Sequence, residues 1–105
     1  MSEKELQDAV LELCRWLGLL VFHDHDSRRN EAGLPDLIVV GQHGVLFREL
    51  KSTKGRLRPE QATWLSRLKQ AGADADIWRP ADLAPAGGRI KSELVALVRP
   101  KKEQL

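Results

Sequence analysis

The chain has 105 residues, 42% of them apolar and 30% charged, and a net charge of +2. That balance fits one modest hydrophobic core rather than a disordered segment, and it excludes a histone-like binder relying on bulk charge. A single cysteine, Cys14, excludes an intramolecular disulfide and a cysteine-rich zinc site.

The longest apolar run, residues 16–22, contains a glycine and is far shorter than the ~20 residues that span a bilayer. The opening Met-Ser-Glu-Lys-Glu alternates charge and has no apolar core of a signal peptide. A soluble, cytoplasmic domain with no membrane partner is expected.

In chain order, Ser2 and Glu5 fit a capping box that opens a helix. Leu6, Val10, Leu13 and Leu17 then recur at helical spacing, and Gly18 suits the stop. Residues 19–23 read as a strand and 24–33 as a polar loop. A second strand over 35–40 and a third over 45–51 flank a glycine-containing turn at 41–44. Alternation in the third strand puts Val45, Phe47, Glu49 and Lys51 on one face, and Leu46, Arg48 and Leu50 on the other. Residues 52–58 form a basic loop, and Pro59 opens a second helix running to about residue 71, before Gly72. A fourth strand covers 75–78, ended by Pro80, and 89–98 suit a short closing helix. The order α-β-β-β-α-β predicts a mixed α/β fold, a small sheet with flanking helices.

The strongest chemical signal is Pro35-Asp36, then twelve residues, then Glu49-Leu50-Lys51. Hairpin pairing brings Asp36 near Glu49, and the two-residue period keeps Lys51 on the face of Glu49. Converging carboxylates make a hard-oxygen site that suits Mg²⁺ or Mn²⁺, with water completing the shell. A lysine beside them is placed to touch a phosphate oxygen or the attacking water. The alternative is a solvated edge-strand ion pair.

Glu3 lies at the border of the first helix's apolar face, within reach of that cluster, although a helix N-terminus favours an acid in any case. Gln61 projects near the centre of the second helix's apolar face, marked by Trp64, Leu65, Leu68 and Ala71. There it needs buried partners or an outlet to the solvent edge. Arg48, Lys51, Lys54, Arg56 and Arg58 place five cations within eleven residues, and Arg28 and Arg29 add a second basic spot. Beside a metal site such clusters suit phosphate-backbone contacts. With five aromatics and no tyrosine, a single-strand stacking platform is not expected. His23, Asp24, His25 and Asp26 invite a transition-metal reading, but no third separated ligand accompanies them. Trp16, Trp64 and Trp78 read as core or interface residues.

Gly33-Leu-Pro-Asp36, Phe47-Arg-Glu-Leu-Lys51-Ser and Pro59-Glu-Gln61 resemble the VRR-NUC domains of the PD-(D/E)xK nuclease superfamily. His25-Asp-Ser-Arg-Arg29 and Ile77-Trp-Arg-Pro80 are similar to that family as well. The resemblance implies a restriction-endonuclease-like core, with residues 1–105 as a single VRR-NUC nuclease domain of the stand-alone phage or bacterial type. It implies a metal-dependent, Holliday-junction-resolvase-like endonuclease acting on branched DNA as a homodimer. Asp36 and Glu49 would be metal ligands, joined by Glu3. Lys51 would orient or activate water, and Gln61 would support the site. Arg28, Arg29, Lys54, Arg56 and Arg58 would meet the DNA. Two rivals remain open: a DNA-binding module that has lost the chemistry, and a flap nuclease or exonuclease that works only with other proteins.

Overall fold

A computed structural model describes residues 1–24, 31–83 and 88–99. Arg28 and Arg29, with His25 and Asp26, lie outside the described residues. The elements are α1 (Glu3–Leu17), β1 (Leu20–His23), β2 (Leu37–Gly41), β3 (Gly44–Leu50), α2 (Pro59–Gln70), β4 (Asp74–Trp78), a 3₁₀ turn (Pro80–Asp82) and α3 (Gly88–Val95). The expected α-β-β-β-α-β order is observed, with the closing helix and the 3₁₀ turn following it. Differences are at the ends: β2 begins at Leu37 rather than at 35, and α3 stops at Val95.

The start of α1 is closed from both sides. Ser2 Oγ accepts the Glu5 N–H at 3.0 Å, and the Glu5 carboxylate accepts the Ser2 N–H at 2.9 Å. Gly18 ends the helix with φ of 71°, a left-handed conformation that glycine adopts without penalty. Its fully buried stripe is Leu6, Val10 and Cys14, while Leu13 and Leu17 flank it half-buried. Cys14 thus serves as a small core residue, and burial pushes its thiol up to about 11.

The four strands pair in the order β1-β2-β3-β4. The first two pairings are antiparallel, and β3 with β4 is parallel, with α2 as the crossover that a parallel pair requires. Leu37, Val39, Leu46, Leu50 and Trp78 bury one sheet face against α1 and against Ile90 and Leu94 of α3. The other face is covered by α2 on the β3–β4 side, where Leu65 and Ala75 are buried. Towards β1 it remains open. Leu20, Val40 and Val45 form one row across the strands, and Phe22, Ile38 and Phe47 the next. Leu20 is 74% exposed, and Phe22, Val40 and Val45 are exposed with it.

Arg48, counted in the basic cluster suited to phosphate contacts, is instead a core residue on the face of Leu46 and Leu50. Its strand position points it inward, and it is 1% exposed. Its guanidinium donates to the Asp74 carboxylate and carbonyl at 2.8 and 2.9 Å, and to Glu93 at 2.9 Å. It also lies over the Trp78 ring, 5.1 Å from the centroid. Glu93 further accepts the Trp78 indole N–H at 2.9 Å and Arg89 at 2.6 Å. Burial alone would raise its pKa, but these donors hold the carboxyl below its ordinary range. Of the tryptophans, Trp78 is core, Trp64 half-buried and Trp16 exposed.

The turn after α3 seats on the β2–β3 hairpin, where His43 N–H donates to Leu97 O at 3.0 Å. A Cβ on Gly41 would stand 2.6 Å from that carbonyl and 2.8 Å from Leu19. Gly41→Ala is therefore expected to lower stability by ~1–3 kcal/mol, as overpacking does. A lower urea midpoint at unchanged slope is the observable. Among the described residues no helix is long and apolar enough to cross a membrane.

Candidate active site

The β2–β3 hairpin turns on Gln42 and His43, with Gly41 opposite Gly44, and its register runs unbroken to Leu37 opposite Arg48. One step further along the same register, Asp36 faces Glu49 at the open end of the hairpin. Both point away from the main core, because Leu37 and Val39 on one strand, and Arg48 and Leu50 on the other, point into it. The Leu50 N–H donates to Asp36 Oδ2 at 2.8 Å, which fixes one carboxylate oxygen.

Glu49 is 2% exposed, an expensive position for a charge. One oxygen is well supplied: Glu49 Oε2 accepts Gln61 Nε2 at 2.9 Å and lies 3.6 Å from Lys51 Nζ. The other, Oε1, is buried with no hydrogen-bond partner. Burial first, and the neighbouring Asp36 carboxylate second, push Glu49 up to about 8; Lys51 opposes the shift. Asp36 is raised as well, mainly by burial, against the opposing Leu50 N–H. Two acids that cannot both ionise comfortably, one with an orphaned buried oxygen, form a donor set fitted to a divalent cation. Among the described residues no three His, Cys, Asp or Glu side chains group closely enough to hold an ion. A carboxylate pair is nevertheless enough for Mg²⁺, which keeps several waters and binds substrate phosphate oxygens.

Gln61 owes its position to the start of α2. Its Oε1 accepts the Arg58 N–H at 2.9 Å, so the side chain caps its own helix while its amide nitrogen holds Glu49. Gly33 brings the preceding segment against that same turn. Its φ is 89°, and a Cβ there would fall 2.5 Å from the Glu60 carbonyl. The Trp64 indole N–H donates to Ala32 O at 3.1 Å and completes the contact.

These residues surround an open cleft of about 340 Å³. It brings together Asp36, Glu49, Lys51, Gln61, Arg58 and, from the first turn of α1, Glu3. Lys54 and Arg56 lie outside its lining, exposed on the loop between β3 and α2. Three acids that the sequence reading did not assign to the site also line it: Asp24, Glu31 and Glu60. Asp24 is there because β1 pairs with β2, its N–H donating to Asp36 O at 3.0 Å. The signal was the apolar run just before it, whose pairing partner was not read from the sequence.

No curated protein matches the chain. Among solved structures, it is similar to one described as a VRR_NUC domain protein, at 20% identity and a TM-score of 0.64. That similarity covers 92% of this chain and 88% of the other. It is also similar to Hjc, a Holliday junction resolvase from the archaeal hyperthermophile Archaeoglobus fulgidus, at 21% identity and a TM-score of 0.48. There the match covers 70% of this chain and 64% of Hjc. The family model of the VRR-NUC domain matches residues 1–81, the stretch that holds the hairpin, the carboxylate pair and α2. The chain therefore belongs to the VRR-NUC family, of the PD-(D/E)xK nuclease superfamily.

Proposed function

We propose that this protein is a metal-dependent endonuclease that hydrolyses phosphodiester bonds in branched DNA, four-way junctions among them. The observation that carries the reading is the Asp36–Glu49 pair at an open cleft: Glu49 is buried, its Oε1 has no hydrogen-bond partner, and its Oε2 lies 3.6 Å from Lys51 Nζ. Asp36 and Glu49 would hold Mg²⁺ or Mn²⁺; Glu3 lines the same cleft and would reach the ion only through its water shell. When bound, such an ion neutralises charge building on the phosphate and makes a water more acidic. The chain's own residues do the rest. Lys51 directs its ammonium at the reacting phosphate, a fixed positive contact that strengthens as negative charge grows. Gln61 holds the Glu49 carboxylate in one orientation through Oε2, which leaves Oε1 without a hydrogen-bond partner. Arg58 at the cleft wall, Lys54 and Arg56 on the neighbouring loop, and Arg28 and Arg29 take backbone phosphates.

Cutting both sides of a four-way junction needs two such sites about a two-fold axis, so we propose a homodimer. The charge-free rows of Leu20, Phe22, Val40 and Val45 support a second copy as the occupant of that open sheet face. A face without charges is compatible with its own rotated image, whereas a charged patch would repel its copy. We further propose that residues 1–105 act as a single VRR-NUC domain in the cytoplasm.

The test uses labelled four-way junction, flap and linear duplex DNA in Mg²⁺, Mn²⁺ and EDTA, with particle mass by light scattering. Paired nicks on the junction are expected in either metal, none in EDTA, from a particle of twice the chain mass. Lys51→Ala and Asp36→Ala are expected to cut at least ~100-fold more slowly while still binding the junction. Junction binding without cleavage in either metal would instead identify a binding module or an enzyme that needs a partner. Flap cutting by a monomer would remove the resolvase reading.

A further inference from the structure

The parallel pairing of β3 with β4 extends one residue past β3, through the Lys51 N–H to Trp78 O at 3.1 Å. From there the chain leaves the sheet and runs to α2 without regular structure. Along it Lys54, Arg56 and Arg58 are exposed, and among the described residues none of them is in an ion pair. Within the loop, the Gly55 N–H donates to Ser52 O at 3.2 Å, closing a tight turn around Lys54.

Arg79 immediately follows Trp78 and reaches that turn. Its Nη1 donates to Ser52 O at 2.8 Å and to Gly55 O at 2.7 Å. Among the described residues, these are the hydrogen bonds that tie positions 52–57 to any other element. The base of Arg79 is itself fixed. Its N–H donates to Asp82 Oδ2 at 2.8 Å, and the Asp82 N–H returns to Arg79 O at 2.8 Å. A guanidinium on two converging carbonyls does two things. It restrains a turn that would otherwise sample many conformations. It also neutralises the negative ends of two peptide dipoles within the basic loop.

We infer that Arg79 is a positioning residue: it fastens the turn at 52–55 so that Lys54 and Arg56 stand as preset phosphate contacts. The inference rests on the proposed reading of those two side chains as DNA contacts.

Two measurements test it. The first needs no DNA: trypsin cutting after Lys54 and Arg56 in the folded protein. Arg79→Ala is expected to speed it about tenfold, with the melting temperature nearly unchanged. The second is anisotropy of a labelled four-way junction in Ca²⁺ across a salt series. Arg79→Ala should weaken binding about tenfold and flatten the salt slope, as Lys54→Ala/Arg56→Ala does. Added to that double variant, Arg79→Ala should cost less than about twofold more, because a positioning residue acts through the side chains it presents. Arg79→Lys keeps the charge, but its shorter side chain does not carry a nitrogen to where Nη1 meets the Ser52 and Gly55 carbonyls. It should still show fast trypsin cutting and weak binding, and it serves if the alanine variant fails to fold.

Equal losses from Arg79→Ala in both backgrounds would overturn the inference, since Arg79 would then be acting on DNA directly. So would a loosened loop with undiminished affinity, or full affinity in Arg79→Lys. Undiminished affinity of Lys54→Ala/Arg56→Ala would remove the phosphate-contact reading itself, and that outcome is distinct from the others.

Discussion

Glu49→Gln is expected to slow DNA cleavage by ~10³-fold or more and, in the same protein, to flatten the dependence of melting temperature on pH. Both effects come from one buried oxygen pair. The amide keeps the size of the side chain and can still accept from Gln61, so the fold has no reason to change. It loses the negative charge that a divalent cation needs, and the rate falls with it. The stability effect has a definite sign. In the folded, metal-free protein burial and Asp36 raise Glu49 to about 8, whereas the unfolded chain ionises it near its ordinary 4.5. Between those values the native state holds a proton that the unfolded state releases. The Glu49 contribution to stability is therefore fully present below about 4.5 and is lost as the pH rises through about 8. Calorimetry in EDTA at pH 5, 6.5 and 8.5 should show the wild-type melting temperature declining across that range. The glutamine variant should decline less, keeping only the part that comes from Asp36. A wild-type protein equally stable at all three values would show that Glu49 is already ionised without its cation. Adding Mg²⁺ at pH 8.5 should raise the wild-type melting temperature and leave the variant unmoved.

The largest loss of stability is expected from Glu93→Ala, far from the cleft. Glu93 meets Arg48, Trp78 and Arg89, and without it the one carboxylate left to the Arg48 guanidinium is Asp74, whose side chain is 61% exposed, beside the Phe47 and Asp74 carbonyls. Removing one partner of a buried charge leaves the other uncompensated, a cost of ~3–5 kcal/mol. The Trp78 indole N–H loses its acceptor at the same time. In a chain of this size ~3 kcal/mol corresponds to a fall of ~15 °C in melting temperature. Lys4→Ala, which breaks only the exposed pair with Asp8, should cost less than ~0.5 kcal/mol. A Glu93→Ala protein as stable as Lys4→Ala would mean that solvent satisfies Arg48, contrary to its burial.

These two sites differ in how readily the sequence exposes them. The carboxylate pair was legible because all of its determinants are local: two alternating strands, a short turn and a counted spacing. Gln61 was legible for a related reason, a polar residue in the apolar stripe of an amphipathic helix. The Arg48 network was not. Its counter-ions at 74 and 93 are set by which strand lies beside β3 and by a helix outside the family match. Arg48 therefore looked like one more member of a basic run. Cys14 was passed over because a leucine-based stripe named Leu13 and Leu17, although the helix centres its contact on Cys14. Asp24 needed the β1–β2 pairing, and Arg79 needed the parallel pairing of β3 with β4; neither pairing is written in a local pattern. Tertiary neighbours, rather than chemical type, separate what was read from what was missed.

The hairpin carries one more implication. Asp36 and Glu49 stand at its open end, and the Gln42–His43 turn closes the far end. Length added or removed at the turn therefore leaves the acids facing each other, provided that both strands change equally. The interval between them is then free in size but restricted in parity. An even number of inserted residues preserves the match of inward and outward faces, while an odd number forces a bulge or turns one acid towards the leucines. Descendants of this chain could vary freely in hairpin height, but the separation of their two acids along the chain would step in twos.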